Sequence, residues 1–266
     1  MNSQAPISKD PKPSDSYVQS FARGLEVIRS FSASTPQQTL SEVAALTGLT
    51  RAGARRILLT LQTLGYVETD GKLFRLSPRI LDLGFAYLSS LPIWNLAEPV
   101  MEDLVEEVRE SSSAAVLDGL DIVYVLRVPT HKIMRTSLGV GSRLPACWTS
   151  MGRVLLGGLP DAELEARLQG HLLERFTTHT TKELPALLDR IREARQQGWC
   201  LVNQELEEGL ISIAAPLTNR AGQTVAALNI SGQANRTSAA MMQESLLPAL
   251  LRAAQTISHM MGAPRA

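Results

Sequence analysis

Arg51 and Arg55 stand four residues apart, so on a helix their guanidinium forks would lie within about 40° of one another. Forks at that spacing suit guanine edges and phosphates, both of which accept two parallel hydrogen bonds. Arg56 falls well round from Arg51, where it suits a phosphate clamp or plain solvent. Lys72 and Arg75 follow an Asp70-Gly71 step and offer charge for phosphate contacts, which add affinity but little sequence information. A different chemistry is written into Thr149-Ser-Met-Gly152. A helix starting there would expose unpaired N–H groups and a partial positive charge able to hold a carboxylate, with Gly152 letting the backbone come close; alternatively Thr149 and Ser150 only cap their own helix. Arg127, Arg135, Arg143 and Arg153 are further groups that could pair an anion or simply stay solvated. Trp148 could stack on an aromatic ring or fill the core.

Other chemistries lack their residues. There is no G-x-S-x-G elbow and no phosphate-binding glycine loop, Gly139-Val-Gly-Ser142 being too short for one. His131, His171, His179 and His259 stand in no recognisable catalytic setting, so catalytic residues are not expected. Cys147 and Cys200 have no His or Cys partners at ligand spacing, so neither a metal site nor a cofactor is expected and both read as core thiols.

The elements that must position these groups can be read along the chain. Residues 20–31 place Phe21, Leu25, Ile28 and Phe31 at helical steps, a first helix with one apolar stripe. Thr39-Leu-Ser-Glu42 is a capping box that opens a short helix through Leu46. Thr47-Gly-Leu-Thr50 supplies a turn and a fresh N-cap, and the third helix is predicted to pack Ala54, Ile57, Leu61 and Leu64 inward while Arg51, Arg55 and Gln62 point out. Gly65 ends that helix, and residues 66–76 read as two strands around an Asp-Gly turn, a wing. Helix, turn, helix and wing in this order are what major-groove insertion requires. Packing without DNA is the alternative for such a motif, and Arg on an exposed helix often only meets water.

Ser77-Pro78 starts a connector helix whose Ile80, Leu83, Ala86 and Tyr87 share a face, ended by Leu91-Pro92. That face needs cover, and a partner subunit is one cover; a dimer would engage two half-sites about one helical turn apart. A helix from about Asn95 to Arg109 then carries Leu96, Val100, Leu104 and Val108 at four-residue steps. Strands are predicted at 114–117, 122–128, 135–138, 199–202, 210–217 and 224–230, with helices at 149–156, 161–168, 182–197 and 238–261. The pattern gives an α+β protein: a tail at 1–16, a winged helix-turn-helix at 17–77, a linker helix at 78–91 and an α+β domain at 92–266.

Bulk composition agrees. The 266 residues are 44% hydrophobic and 20% charged, enough for two ordinary cores. Net charge is zero, yet residues 1–80 carry ten Lys or Arg against six Asp or Glu, and the remainder 16 against 20, so the positive excess sits on the groove-reading half. No apolar run approaches the roughly 18 to 20 residues of a membrane span, and residues 1–15 have no apolar signal core, so a cytoplasmic protein without membrane contact is expected.

Phe21-Ala-Arg-Gly-Leu-Glu-Val-Ile28, Leu40-Ser-Glu-Val-Ala44 with Gly48-Leu49, Leu61 to Gly65-Tyr66, Gly141-Ser-Arg-Leu-Pro145 with Thr149-Ser-Met-Gly-Arg-Val-Leu-Leu156, and Ile230-Ser-Gly232 occur in order. Together, over about residues 17 to 260, they resemble the isocitrate-lyase-regulator (IclR) family. Within it, Val123-Tyr-Val-Leu-Arg-Val-Pro129 and the segment 141–156 look most like regulators of protocatechuate, 4-hydroxybenzoate and β-ketoadipate catabolism. The resemblance implies a dimer or tetramer, a profilin- or GAF-like effector domain, a double-stranded DNA operator, and control of a catabolic operon by a small organic acid of those three types, with RNA polymerase as a further candidate partner. It also implies effector contacts at the main chain of Ser150 and Met151 and at Asn203, Ser212 and Asn229, added to Trp148, Thr149 and Arg135 above; Thr39, Thr50, Arg51, Arg55, Arg56, Lys72 and Arg75 form the DNA-facing set. Some acid-binding relatives carry Cys where Ser212 stands and Asp near Val202 or Asn203; this chain departs from them at both places, so the resemblance does not fix which acid is bound. Two further readings stay open: a constitutive repressor whose second domain only oligomerises, and an enzyme fused to a DNA-binding module.

Overall fold

The computed structural model describes residues 17–89, 93–130, 138–171 and 173–263, which fall into two compact units divided between Ser89 and Ser90. The expected tail at 1–16, the Leu91-Pro92 stop and the start of the strand at 135–138 lie outside the described residues.

The first unit is built on α1 (Gln19–Arg29), α2 (Leu40–Thr47) and α3 (Arg51–Thr63), with a small sheet of β1 (Gln37–Thr39), β2 (Val67–Thr69) and β3 (Leu73–Leu76). Val27, Val43, Ala54, Leu58, Leu61, Val67 and Phe74 make its core. The Thr39 capping box forms as expected: Thr39 N–H donates to Glu42 Oε2 at 2.7 Å, and Glu42 N–H to Thr39 Oγ1 at 3.3 Å. Gly48 closes α2 in the left-handed region at φ 65°, and Thr50 Oγ1 accepts from Gly53 N–H at 3.1 Å to open α3. Leu58, not Leu64, is the fully buried companion of Ala54 and Leu61, because the alternating four- and three-residue steps 54, 58, 61 hold one line down the helix; Leu64 is exposed. The predicted α1 stripe is likewise only half used. Val27 is buried and Ile28 and Phe31 are partly buried, whereas Phe21 and Leu25 are exposed.

β1 is a strand the sequence reading lacked; it pairs antiparallel with β3, so the sheet order is β1-β3-β2. A 3₁₀ turn, Pro78–Ile80, begins where Ser77 caps it, and α4 (Leu81–Ser89) follows with Leu81, Leu83, Phe85 and Tyr87 all exposed in this chain.

The second unit is a six-stranded antiparallel sheet in the order β6-β5-β4-β9-β8-β7, formed by β4 (Ser111–Asp118), β5 (Asp121–Val128), β6 (Arg143–Pro145), β7 (Cys200–Asn203), β8 (Leu210–Thr218) and β9 (Thr224–Gln233). α5 (Ile93–Val108) and α10 (Leu247–Met260) pack on each other and cover one face; α6 (Ser150–Gly157) lies across the other, backed by α7 (Asp161–Leu168) and α8 (Leu184–Gln197). In α5 the buried line is Trp94, Ala97, Met101 and Leu104, and Leu96 is exposed, contrary to the expected four-residue series. Four-residue steps advance 400° and drift round the helix, while 3-4-3 steps stay on one side. The closing helix is broken into α9 (Ala239–Met241), a π turn (Met242–Leu246) and α10, whose second residue is Pro248; a proline lacks the N–H an uninterrupted helix would use.

Candidate functional site

On the first unit, Arg51, Arg55 and Arg56 are all exposed on α3, whose first turn has no acidic side chain. Thr39 and Thr50 have their hydroxyls engaged in the caps described above. Beyond α3 the β2–β3 turn carries Lys72, exposed, behind Gly71 at φ 98°. Asp70 fixes that turn: its Oδ1 accepts from the N–H groups of Lys72 and Leu73, at 2.9 and 2.8 Å, which hold the carboxyl below its ordinary value. Arg75 is not free. Its Nε and Nη2 donate to Glu68 Oε2 across the β2–β3 pair at 2.9 and 2.7 Å, so any phosphate contact competes with a carboxylate that the sequence reading left out of account.

On the second unit a cavity opens between the sheet and the first turn of α6. Thr149 caps α6, accepting from Gly152 N–H at 3.1 Å on its side chain and from Arg153 N–H at 3.0 Å on its main chain, which leaves the Ser150 and Met151 N–H groups without an intrahelical acceptor. Gly152 is obligatory there, because a Cβ would overlap the Ala146 carbonyl. Ser150 Oγ meets Ser212 Oγ from β8 at 2.9 Å, both buried. Two hydroxyls hold two protons and their mutual bond uses one, so the pair keeps a proton to donate. Asn229 on β9 lines the same cavity, its Oδ1 accepting from Ser113 N–H at 3.0 Å.

Of the expected effector set, then, Trp148, Thr149, Ser150, Met151, Ser212 and Asn229 are brought together around one cavity. Asn203 is not: it ends β7 on the exposed side, and Val202, its neighbour of opposite facing, lines the wall. Arg135 lies outside the described residues. Trp148 belongs to core and wall at once, buried at 2% exposure, with Nε1–H to Thr181 O at 3.3 Å and its ring edge-on to Phe176.

The arginines separate cleanly. Arg143 reaches Asp118 and Asp121 on the surface, at 2.7 and 3.2 Å. Arg153, fully buried, pairs both its Nη atoms with Glu205 at 2.7 Å. Neither is available to a ligand, which corrects both expectations. Arg127 lines the cavity, half-buried, with no ion pair among the described residues. Ser231 and Tyr124 also line it and were missed. Ser231 was within reach of the sequence, two residues beyond Asn229 on the same strand face; Glu205 was not, because its partner lies 52 residues away. Cys147 and Cys200 are buried as expected, and burial pushes their thiols up to about 12 and about 11, so neither is a ready nucleophile.

Residues 20–71 match the IclR helix-turn-helix domain, and residues 85–259 match the bacterial transcriptional regulator IclR C-terminal domain. The chain belongs to the IclR family of bacterial transcriptional regulators. It is 39% identical over 244 residues to the Pca regulon regulatory protein of Pseudomonas putida, covering 91% of this chain and 84% of that one. A solved transcriptional regulator from Rhodococcus sp. RHA1 is 50% identical with a TM-score of 0.83, covering 91% and 98%. The PobR inducer-binding domain from Acinetobacter, solved as a double mutant with 3-hydroxybenzoic acid, is 31% identical with a TM-score of 0.59, covering 62% of this chain and 97% of that one. An IclR regulator with an N-terminal DNA-binding domain and a C-terminal α+β domain is therefore what this chain is. Among the described residues no helix is long and apolar enough to cross a membrane.

Proposed function

We propose that this regulator controls genes of aromatic-acid breakdown and responds to a hydroxybenzoate-type acid bound in the cavity between α6 and the sheet. The observation that carries this reading is the set of donors converging there: the α6 first-turn N–H groups, the Ser150–Ser212 hydroxyl pair, Asn229, and Arg127, which has no ion pair among the described residues. Donors that converge in this way ask for an oxygen-rich anion, and the apolar walls from Leu144, Trp148, Met151 and Val202 suit a flat ring between its polar ends. The 3-hydroxybenzoic acid in the PobR inducer-binding domain supports the same ligand class.

In this reading residues 17–77 bind operator DNA, 78–91 connect, and 92–266 hold effector and partner subunits. Arg51 and Arg55 enter the major groove, Arg56 and Lys72 meet phosphates, and Arg75 does so only by exchanging Glu68. The exposed apolar side chains of α4 favour a homodimer or tetramer, and action on RNA polymerase would follow from the operator's position in a cytoplasmic setting. The chain regulates and does not catalyse.

Thermal-shift titration of the full chain with 4-hydroxybenzoate, protocatechuate, β-ketoadipate and, as a control, benzoate tests the effector, because a ligand of the folded state must raise its melting temperature. A rise with a hydroxybenzoate and none with benzoate is expected. No rise with any of the acids would leave a constitutive regulator whose second domain only oligomerises.

A further inference from the structure

Part of the cavity wall is not sheet or helix but the segment 204–209 between β7 and β8, which supplies Glu205, Leu206 and Glu207. Glu205 is buried, and its carboxylate is filled. Arg153 Nη1 donates to Oε1 and Nη2 to Oε2, each at 2.7 Å, and Thr181 adds its N–H at 3.0 Å and its hydroxyl at 2.7 Å to Oε2. The main chain beside it is held as firmly: Thr177 Oγ1 donates to Gln204 O at 2.6 Å, and Thr180 Oγ1 to Glu205 O at 2.7 Å. Gln204 sits at φ 60°, left-handed backbone that a side chain disfavours, and its Oε1 accepts from Gly209 N–H at 2.9 Å to close the loop. From the other side Arg153 lies inside α6, with Nε donating to Cys147 O at 2.9 Å.

A direct ligand role for Glu205 is poor chemistry, since four donors already occupy its oxygens and an unpaired carboxylate would repel an acid. Stability alone is a poor reason as well, because a buried ion pair gains little over apolar residues of the same size. What the pair does achieve is geometric. It ties a strained loop on the cavity's rim to the helix whose first turn borders the same cavity.

We propose that Glu205 is the positioning residue of the effector site, holding 204–209 against α6 through Arg153 so that wall and helix terminus keep one register. The ligand side of this proposal rests on the effector reading above; its structural side does not. The test is amide hydrogen exchange on the full-length protein and its Glu205→Gln variant, followed by calorimetry with 4-hydroxybenzoate. In the variant, amides of 204–210 should exchange at least tenfold faster without ligand while those of α10 keep wild-type rates, and the acid should bind at least tenfold more weakly. Wild-type exchange at 204–210, or a uniform rise across the whole domain, would overturn the proposal. So would locally faster exchange with undiminished affinity. If Glu205→Gln does not fold, Thr181→Val removes the 2.7 Å hydroxyl bond to Glu205 and the 3.5 Å bond from Arg153 Nη2, keeps the Arg153–Glu205 pair, and should give the same local pattern at about threefold. Should wild type itself fail to bind the acid, the effector reading falls, and the exchange comparison still decides whether Glu205 positions the loop.

Discussion

Arg127 faces the same side of the sheet as Tyr124, although three residues of regular strand would put them on opposite faces. The register explains it: Ala114 pairs with Leu126 but Ala115 with Tyr124, so Val125 is the extra residue of a β-bulge. Across the sheet Arg127 is opposite Ser113, and Ser113 opposite Asn229, which sets the cation two strands from the amide. Tyr124, its hydroxyl pushed up to about 12 by burial against the lowering effect of Arg127, stays neutral beside it.

Arg127→Gln should therefore weaken binding of an acid effector by about 10- to 100-fold, the range of about 1.5–3 kcal/mol for a hydrogen bond to a charged group. The melting temperature without ligand should not change, since among the described residues no ion pair is broken. Calorimetry with 4-hydroxybenzoate and its neutral amide checks this; equal weakening of both would assign Arg127 to shape and not to charge.

Arg55→Ala should cost about 1 to 3 kcal/mol at the operator and relax sequence preference, as removal of a bidentate base contact does. Lys72→Ala should weaken every duplex alike and reduce the salt slope by about 1. Fluorescence anisotropy on operator and random DNA over a salt series separates the two. A uniform loss for Arg55→Ala would move it to the phosphates.

Gly152→Ala should destabilise the second unit by more than about 3 kcal/mol, above the usual cost of overpacking, because its Cβ would meet the main chain of Ala146 and not a side chain that can swing away. Gly71→Ala on the wing has open space and only a positive φ to disfavour it. Denaturant melts should show the first substitution in the second unit's transition and the second outside it.

Stability should also fall in acid. Burial would raise the Glu205 carboxyl, but Arg153 and Thr181 outweigh it and hold the group below its ordinary 4.5. A carboxyl depressed in the folded state stabilises above its unfolded value and loses that contribution as pH drops from about 4.5 through the folded value. Melts between pH 7 and 3 should show a decline below about 4.5 that is shallower in Glu205→Gln, and parallel curves would count against the linkage.

Local chemistry was legible where it acts on neighbours in sequence. The Thr39 capping box, the Gly48 turn, the Thr50 cap and the Asp70-Gly71 hairpin all rest on bonds spanning two to four residues. The Thr149 cap is of the same kind, and so the cavity's floor at Ser150 and Met151 could be placed from spacing and resemblance. The α5 face was misread because a four-residue series looks helical while drifting off one side. β1 was missed because three residues with one buried Gln38 carry no alternation. Arg153 and Arg143 looked free for the reason that their acidic partners are tertiary, and the Arg127 bulge leaves no mark in the order of residues at all.

All eight residues of α6, Arg153 and Gly157 among them, are buried. A helix with no outward side offers evolution no neutral positions: each of its side chains answers to the core. If α6 meets the effector end-on as proposed, new effector preferences in this lineage should arise on the sheet, at positions such as Ser212, Asn229 and Arg127, while the helix stays nearly invariant.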